Sequence, residues 1–247
     1  MTALLEVQDM RKAYGAIRAV DGVSLAVAPG EILGVIGPNG SGKTTLFNSI
    51  LGQVRPDSGR VLFEGRDTTG SAPLRLSRMG IGRTFQNLQV FGRLSIRDNL
   101  IAAAQEFAGS TAGRLFARRD AGLSGRADEI IALFRLGHVA TKPAGSLSYG
   151  QQKLVDIAMA FMSNPRLVLL DEPCAGVNPA LVDELTDLLR RLNRDHGGTF
   201  IIIEHNMDFV MRLCSRVVCM AQGQVLAAGS PAEVQSDRRV LEAYLGV

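Results

Sequence analysis

The sequence predicts an α/β fold with a core lobe built on a parallel sheet, an antiparallel β lobe near the N terminus and a helical insertion at about 86–164. Three observations support this prediction. The apolar run EILGVIG leads into a glycine-rich segment and then into helix-like sequence. In SIRDNLIAAAQEF and RADEIIALFRLG, apolar residues recur at helical intervals of three and four. After Pro165, short strand-like and helix-like segments alternate again, so we expect the parts to form one domain over 1–247.

Strand-like runs dominate the first third of the chain. LLEVQDM and VDGVSLAVAPGE alternate apolar and polar residues, and the second run turns at Pro29-Gly30. EILGVIG is continuously apolar, which is typical of a strand buried on both faces. A helix is predicted from Lys43 to about Leu51, and RVLFEG is predicted to be the next strand.

The last third of the chain is predicted to alternate strands and helices. RLVLLDE and TFIIIEH are strand-like, and NPALVDELTDLLRRLNRD is a helix with Asn178 as N-cap and Pro179 at its first position. NMDFVMRLC predicts another helix, and RVVCMAQGQVLAAG predicts a hairpin that turns at Gln222-Gly223. SPAEVQ and RRVLEAYL predict two short final helices. The glycine-rich, basic segment 108–125 is expected to be a mobile connection or a short surface helix.

The composition argues against several classes of protein. The net charge of +3 permits an anionic ligand or a membrane surface without establishing either. The three cysteines form no C-x-x-C pair and the histidines have no metal-ligand spacing, so we expect a reducing compartment and no zinc site. The first ten residues do not resemble a signal peptide, and no apolar run approaches the ~18 residues that a membrane span needs. A role at a membrane would therefore require another polypeptide to cross it.

The segment GPNGSGKTT fits the pattern G-x-x-x-x-G-K-[ST] between a strand and a helix. Its glycines let backbone N–H groups converge on phosphate oxygens without Cβ clashes, and the helix N-terminus adds positive charge. Lys43 would reach the β and γ phosphates, and the Thr44 hydroxyl would bind Mg²⁺. The alternative is a glycine-rich strand–helix turn without a ligand. The predicted nucleotide-binding residues here are Gly37, Pro38, Asn39, Gly40, Ser41, Gly42, Lys43, Thr44 and Thr45.

The strand LVLLDE delivers two carboxylates to the edge of the predicted sheet where α/β proteins bind ligands. Asp171 is expected to hold Mg²⁺, and Glu172 to polarise the attacking water. Phosphoryl transfer depends on positioning and electrostatics, which suits one carboxylate for the metal and one for the water. A solvated turn is the alternative for this pair considered alone.

The segment LSYGQQ, just before the helix that leads to LVLLDE, contains a capping box formed by Ser148 and Gln151. It also resembles the LSGGQ signature of the ATP-binding cassette (ABC) ATPases, whose phosphate loop, signature and DE strand occur in this same order. The resemblance implies a P-loop ABC-ATPase fold with a RecA-like core lobe, an antiparallel β subdomain and a helical insertion. It also implies that Ser148, Gly150 and Gln151 face ATP held by an opposite subunit. Tyr149 replaces the usual glycine.

The same resemblance implies roles for further residues. Tyr14 is similar to the aromatic residue that stacks on adenine, with an ordinary strand-end tyrosine as the alternative. Gln86, in RTFQN, resembles the glutamine that links the helical lobe to Mg²⁺ and the water. His205 resembles the switch histidine that contacts the γ phosphate. CAGVNP resembles the loop that crosses the dimer interface, with Asn178 where many members carry aspartate.

Across essentially the whole chain, the motifs look most like the ATP subunits of bacterial branched-chain amino-acid importers. That resemblance implies ATP and Mg²⁺ as cofactors, a second ABC ATPase subunit, transmembrane permease subunits and, indirectly, a solute-binding protein. It implies a peripheral position on the cytoplasmic face of the inner membrane and no nucleic-acid partner. Alternatives are a lipopolysaccharide-export ATPase, a urea or amide importer, and a soluble cassette protein of translation or DNA repair.

Overall fold

The computed structural model describes residues 2–84, 89–105 and 121–245. The strands in these ranges are β1 (Leu5–Tyr14), β2 (Ile17–Val27), β3 (Ile32–Ile36), β4 (Ser58–Phe63), β5 (Arg66–Asp67), β6 (Ile81–Arg83), β7 (Leu167–Asp171), β8 (Thr199–Ile203), β9 (Arg216–Ala221) and β10 (Gln224–Gly229). The helices are α1 (Lys43–Ile50), α2 (Pro73–Arg78), α3 (Ile96–Gln105), α4 (Ala121–Leu133), α5 (Tyr149–Ala160), α6 (Pro179–His196), α7 (Met207–Leu213), α8 (Pro231–Ser236) and α9 (Arg238–Leu245).

The strands form two sheets. One is a six-stranded sheet in the order β10-β9-β3-β8-β7-β6, in which β9, β3, β8, β7 and β6 are parallel and β10 is an antiparallel edge strand. The other is an antiparallel sheet in the order β2-β1-β4-β5. The predicted division into a parallel core and an antiparallel β lobe is therefore confirmed.

Two apolar cores cover the two faces of the parallel sheet, because successive side chains of a strand point to opposite faces. On β7, Val168 and Leu170 belong to a cluster shared with the helices, including Val155 of α5 and Leu189 of α6. Leu167 and Leu169 face a second cluster shared with α1 and the antiparallel sheet. Because both faces of the sheet are covered, the sequences of β3, β7 and β8 are continuously apolar.

Several local predictions are confirmed by the observed elements. Helix α1 spans Lys43–Ile50 against a predicted end near Leu51. Helix α6 begins at Pro179 with the Asn178 side chain accepting a hydrogen bond from the N–H of Leu181 at 3.0 Å. The hairpin of β9 and β10 turns at Gln222 and Gly223, both with positive φ.

The structure also contains elements that the sequence did not predict, and it limits other predictions. The short helix α2 and the three-residue strand β6 were missed, because neither is long enough to show a period. The segment 108–125, predicted as a mobile connection or a short surface helix, is helical from Ala121 onward as part of α4, and its residues 108–120 lie outside the described ranges. The boundary of the helical insertion at about 86–164 stays a prediction.

Candidate functional site

The candidate site residues of the core lobe follow three neighbouring parallel strands. In sheet order β8 lies between β3 and β7, so the segments after these strands meet at one edge. The segment Gly37–Gly42, which we call the phosphate loop, follows β3 and leads into α1. Asp171 ends β7 and Glu172 follows it, whereas His205 follows β8. The order of strands thus brings together groups that are far apart in the sequence.

Two glycines of the phosphate loop hold conformations that no other residue fits. Gly37 has φ 146°, and a Cβ there would lie 2.1 Å from the carbonyl oxygen of Met220. Gly42 has φ 100°, and a Cβ there would lie 2.0 Å from the carbonyl oxygen of Ala19. The loop is therefore wedged between β9 and β2, and its shape depends on bare backbone at both ends.

The Lys43 ammonium lies inside the phosphate loop. Its Nζ donates hydrogen bonds to the carbonyl oxygens of Gly37 at 2.8 Å and Pro38 at 3.0 Å, and to Ser41 Oγ at 3.2 Å. Burial lowers the pKa of Lys43, and the negative charges of Glu172 and Asp171 oppose that effect. A buried cation held by neutral oxygens is well suited to attract an anionic ligand.

The start of helix α1 supports the same conclusion. Its N-cap is Gly42, which has no side chain to bond the first N–H groups, and its first turn contains no acidic residue. Thr44 is exposed at this helix end and Thr45 is half-buried. The backbone N–H groups at the start of α1 have no side-chain cap, and the Lys43 ammonium and the exposed Thr44 hydroxyl lie at the same helix end. This combination suits a chain of phosphates with a bound cation.

Asp171 is a partly buried carboxylate beside a second one. Burial raises the pKa of Asp171 and the adjacent charge of Glu172 raises it further, whereas Arg83, Lys153 and Lys43 act in the opposite direction. A divalent cation would relieve this unfavourable charge, and oxygen ligands are what Mg²⁺ prefers. Among the described residues, no three histidine, cysteine or acidic side chains gather closely enough to form a metal site by themselves.

Glu172 and His205 are directly paired. His205 Nε2 lies 3.0 Å from Glu172 Oε1, and both side chains keep some solvent exposure. Glu172 has φ 48°, a left-handed conformation that is uncommon for a residue with a side chain and that clusters at functional sites. Its N–H donates to the carbonyl of Ile203 at 2.9 Å, which ties the turn to the end of β8.

Glu204 is a site residue that the sequence interpretation missed. It is 3% exposed, and its carboxylate accepts hydrogen bonds from three backbone N–H groups. Oε1 accepts from Cys174 at 2.6 Å, and Oε2 accepts from His205 at 2.8 Å and Asn206 at 3.0 Å. A charged residue directly after the apolar run TFIII was the available signal, because such a residue is rarely buried without partners.

The signature segment forms the capping box that the sequence predicts. Ser148 is the N-cap of α5, and its Oγ accepts a hydrogen bond from the N–H of Gln151 at 3.3 Å. In return, Gln151 Oε1 accepts from the N–H of Ser148 at 3.1 Å. The Ser148 hydroxyl also donates to Gln151 Oε1 at 3.2 Å, and the exposed position of Ser148 leaves the N-terminus of α5 accessible to an outside anion.

The signature helix packs against the loop that precedes α6. A Cβ on Gly150 would lie 2.1 Å from Leu181 Cδ2, so a larger residue there would force the Leu181 side chain to move. The ring of Tyr149 lies over Gly176, where an added Cβ would be 3.1 Å from Cε1. Tyr149 therefore has a structural contact of its own in place of the usual glycine.

Two other tyrosines are relevant to the candidate site, one at the end of β1 and one in α9. Tyr14 ends β1, is 49% exposed, and has the ammonium of Lys12 5.6 Å from its ring centroid. An exposed ring at a strand end is able to stack on a flat ligand. Tyr244 of α9 is the second, and its hydroxyl accepts a hydrogen bond from the N–H of Gly37 at 2.8 Å. Gln86 lies outside the described residues, so its predicted role has no structural account.

Comparisons with known proteins agree with this fold and site. The family model described as ABC transporter matches residues 20–175, and the one described as branched-chain amino acid ATP-binding cassette transporter matches residues 224–247. The chain is 35% identical to the high-affinity branched-chain amino acid transport ATP-binding protein BraF of Pseudomonas aeruginosa, with 98% of each chain covered. It is 38% identical to a probable branched-chain amino acid transport ATP-binding protein LivG of Methanocaldococcus jannaschii, covering 98% of this chain and 97% of the relative.

Solved structures give the same result. A cassette of an ABC transporter in its ADP conformation superposes with a TM-score of 0.90 at 36% identity, covering 100% of both chains. A dimeric cassette in a post-hydrolysis state, bound to ADP and phosphate, has a TM-score of 0.78 at 25% identity, covering 92% of this chain and 98% of that one. Fold and site together define a P-loop nucleotide-binding cassette. The chain belongs to the ABC transporter family, as one of its ATP-binding cassettes.

Proposed function

We propose that this chain binds and hydrolyses ATP as the cassette subunit of a membrane transporter that imports branched-chain amino acids. The pairing of Glu172 Oε1 with His205 Nε2 at 3.0 Å, on the sheet edge that also carries Lys43, is the observation that carries the proposed hydrolysis. The substrate class comes from the names of the relatives, and residues 224–247 match the model described for that transporter type.

The binding residues are assigned by their chemistry. Lys43 and the N–H groups of the phosphate loop would hold the β and γ phosphates, and the exposed ring of Tyr14 would stack on the adenine. Thr44 and Asp171 would hold Mg²⁺. Gln86 remains a predicted further ligand. Bound MgATP supplies the phosphoryl group and the metal charge that neutralises it.

Glu172 is assigned as the general base. Its carboxylate would accept a proton from the attacking water, and the Nε2 of His205 would keep Oε1 oriented while it does so. The negative charges of Glu172 and Asp171 both raise the pKa of Lys43, which supports a position of the two carboxylates near the phosphate-binding ammonium. Catalysis of phosphoryl transfer is mainly positioning and charge stabilisation, and these residues would supply both.

A second subunit is proposed to complete each site. The exposed Ser148 at the start of α5 would face the phosphates held by Lys43 of an opposite chain, as the resemblance implies. The capping box fixes the Ser148 side chain, and the exposed N-terminus of α5 suits an anion held from outside. The dimeric form of a related cassette supports the arrangement.

A groove on the helical side is proposed to receive the membrane subunit. It is a cavity of about 370 Å³ lined mainly by apolar side chains of α2, α3 and α5, including Ala103 and Met159. Leu74 and Phe91 line it and remain 46% and 56% exposed. Large exposed apolar side chains around a groove are typical of an interaction site. An apolar segment of a permease subunit fits this lining.

The proposed position is peripheral, on the cytoplasmic face of the inner membrane. Within 2–84, 89–105 and 121–245, no helix has the length and apolar character needed to cross a membrane. Attachment would therefore depend on the permease, with the solute-binding protein acting only through it. The groove described above supports such an attachment.

The decisive experiment is Glu172→Gln in the transporter assembled with its permease. The variant should bind ATP with normal affinity, lose at least about 100-fold in turnover and accumulate a closed dimer. Glu184→Gln, an exposed carboxylate on α6, is the control and should behave like the unaltered protein. Unchanged ATP hydrolysis by Glu172→Gln would refute the assignment of the base.

A transport assay tests the substrate class separately. Proteoliposomes containing the complete transporter should import leucine, isoleucine or valine only when ATP is present on the cassette side. Urea and short amides serve as the competing substrates. Import of these compounds without import of branched-chain amino acids would contradict the proposed substrate and leave the proposed ATPase untouched.

A further inference from the structure

The buried carboxylate of Glu204 joins the two segments that carry Glu172 and His205. Oε1 binds the N–H of Cys174, which lies two residues after Glu172 on the β7 side. Oε2 binds the N–H groups of His205 and Asn206 on the β8 side. One side chain therefore fixes the backbone on both sides of the Glu172–His205 pair.

The partners of Glu204 explain why a carboxylate is needed there. All three backbone partners are N–H donors. An ionised carboxylate only accepts, so it can satisfy every one of them. A glutamine would turn an amide NH₂ toward at least one N–H group and leave that group unbonded in a buried place.

A second hydrogen bond restrains the same turn. The N–H of Glu172 donates to the carbonyl of Ile203, so the backbone of Glu172 is anchored to the end of β8. The left-handed φ of 48° at Glu172 needs such restraint, because the surrounding bonds must over-determine an unfavourable conformation. The bonds of Glu204 supply the matching restraint at Cys174, on the other side of the turn.

On this basis, and resting on the proposed ATPase function, we propose that Glu204 is a positioning residue that sets the Glu172–His205 geometry. It acts through the backbone of the two segments and contacts no reacting group. Catalysis is sensitive to displacements of about 1 Å, which cost on the order of 100-fold in rate. The Glu204 bonds of 2.6–3.0 Å join the two segments, so we expect their loss to displace Glu172 relative to His205.

The first test is Glu204→Gln in the assembled transporter, measured with MgATP. We expect kcat to fall about 10- to 100-fold while KM for ATP stays within about twofold. Glu31→Gln is the matched control, because Glu31 also accepts a backbone N–H bond, from Ala28 at 2.8 Å, at the opposite edge of the sheet. This control should lower the melting temperature and leave kcat unchanged. An unchanged kcat for Glu204→Gln would overturn the inference.

A double variant separates this inference from the proposed function. In the Glu172→Gln background, the further change Glu204→Gln should lower the residual turnover by less than about twofold, because both act through one group. A full additional 10-fold loss would mean that Glu204 acts elsewhere and would overturn the inference. If Glu172→Gln alone hydrolyses ATP normally, it is the assignment of the base that fails.

Glu204→Asp covers the case in which glutamine prevents folding. It keeps the charge but shortens the reach, so we expect a folded protein with an intermediate kcat and a normal KM. Nitrogen-15 NMR of the His205 side chain provides a readout that stability alone would not move. The Nε2 signal of Glu204→Asp should shift from its position in the unaltered protein. An unmoved signal together with a normal kcat would contradict the positioning role.

Discussion

The hydroxyl of Tyr244 accepts a hydrogen bond from the N–H of Gly37 at 2.8 Å, which joins the last helix of the described chain to the first residue of the phosphate loop. Burial raises the pKa of Tyr244, whereas the bond from Gly37 acts in the opposite direction. The contact spans 207 positions in sequence, and Tyr244 lies within the segment that matches the branched-chain transporter model. It gives that segment a direct structural connection to the phosphate loop.

Removing this hydroxyl should weaken nucleotide binding. Tyr244→Phe keeps the ring but leaves the Gly37 N–H without its acceptor, so we expect the Kd for ATP to rise about 3- to 10-fold. Isothermal titration of the purified chain measures this directly. Arg238→Gln breaks only a surface ion pair on the same helix and should leave the Kd unchanged. Equal Kd values for Tyr244→Phe and the unaltered chain would show that the bond does not shape the loop.

The wedged conformation of Gly42 predicts a severe effect of one added methyl group. Gly42→Ala would place Cβ 2.0 Å from the carbonyl oxygen of Ala19, so the loop must move and nucleotide binding should be lost. The strain at φ 100° should also lower the free energy of unfolding by at least about 2 kcal/mol. Denaturant titration and nucleotide titration measure the two effects.

Gly30 offers the matched control for this experiment. It also has positive φ, at +74°, but an added Cβ would meet nothing within 4 Å. Gly30→Ala should therefore cost only about 1–2 kcal/mol of stability and leave ATP binding intact. If both variants lost binding equally, positive φ alone would be responsible and the steric argument for Gly42 would fail.

A site shared between subunits predicts rescue between two inactive variants. Lys43→Ala and Ser148→Arg should each abolish turnover in a dimer of identical chains. Mixing the two should restore activity, because about a quarter of the composite sites would then combine an intact Lys43 with an intact Ser148. ATPase assays on co-refolded mixtures measure the recovery. A mixture as inactive as either parent would indicate that one chain completes its own site.

The apolar groove predicts selective loss of assembly. Ala103→Asp introduces a charge into the cavity lining, so permease affinity should fall at least about 10-fold while ATP binding by the isolated chain is unchanged. Co-purification with the permease and ATP titration measure the two quantities. Ala232→Asp, on the exposed side of α8, should retain full assembly. Normal assembly of Ala103→Asp would place the docking surface elsewhere.

The parts of the site that the sequence predicted are those set by local rules. The Lys43 motif, the capping box of Ser148 and Gln151 and the N-cap Asn178 each depend on residues within one turn, so their patterns are readable in the chain. The parallel sheet followed from continuous apolar runs. Glu204 and Tyr244 could not be assigned in this way, because Glu204 also bonds Cys174, 30 residues away, and Tyr244 bonds Gly37, 207 residues away, and only tertiary packing brings these pairs together.

The pKa shifts of the buried cysteines predict low reactivity. Burial raises the pKa of Cys214 to about 12 and that of Cys219 to about 11, and it also raises the pKa of Cys174. Because the reactive form is the thiolate, its fraction at pH 8 should be about one in a thousand or less for Cys219 and lower still for Cys214. Ellman's reagent should react slowly with the native chain at pH 8 and fast after unfolding. Rapid reaction of the native chain would contradict this burial.

These shielded thiols also make the chain convenient for spectroscopy. A single cysteine introduced at an exposed position such as Ile17, which is 71% exposed, could be labelled with a maleimide spin label while the three native cysteine thiols remain unlabelled. Pulsed electron paramagnetic resonance could then measure the distance between two subunits through a turnover cycle, with no need to replace the native cysteines first.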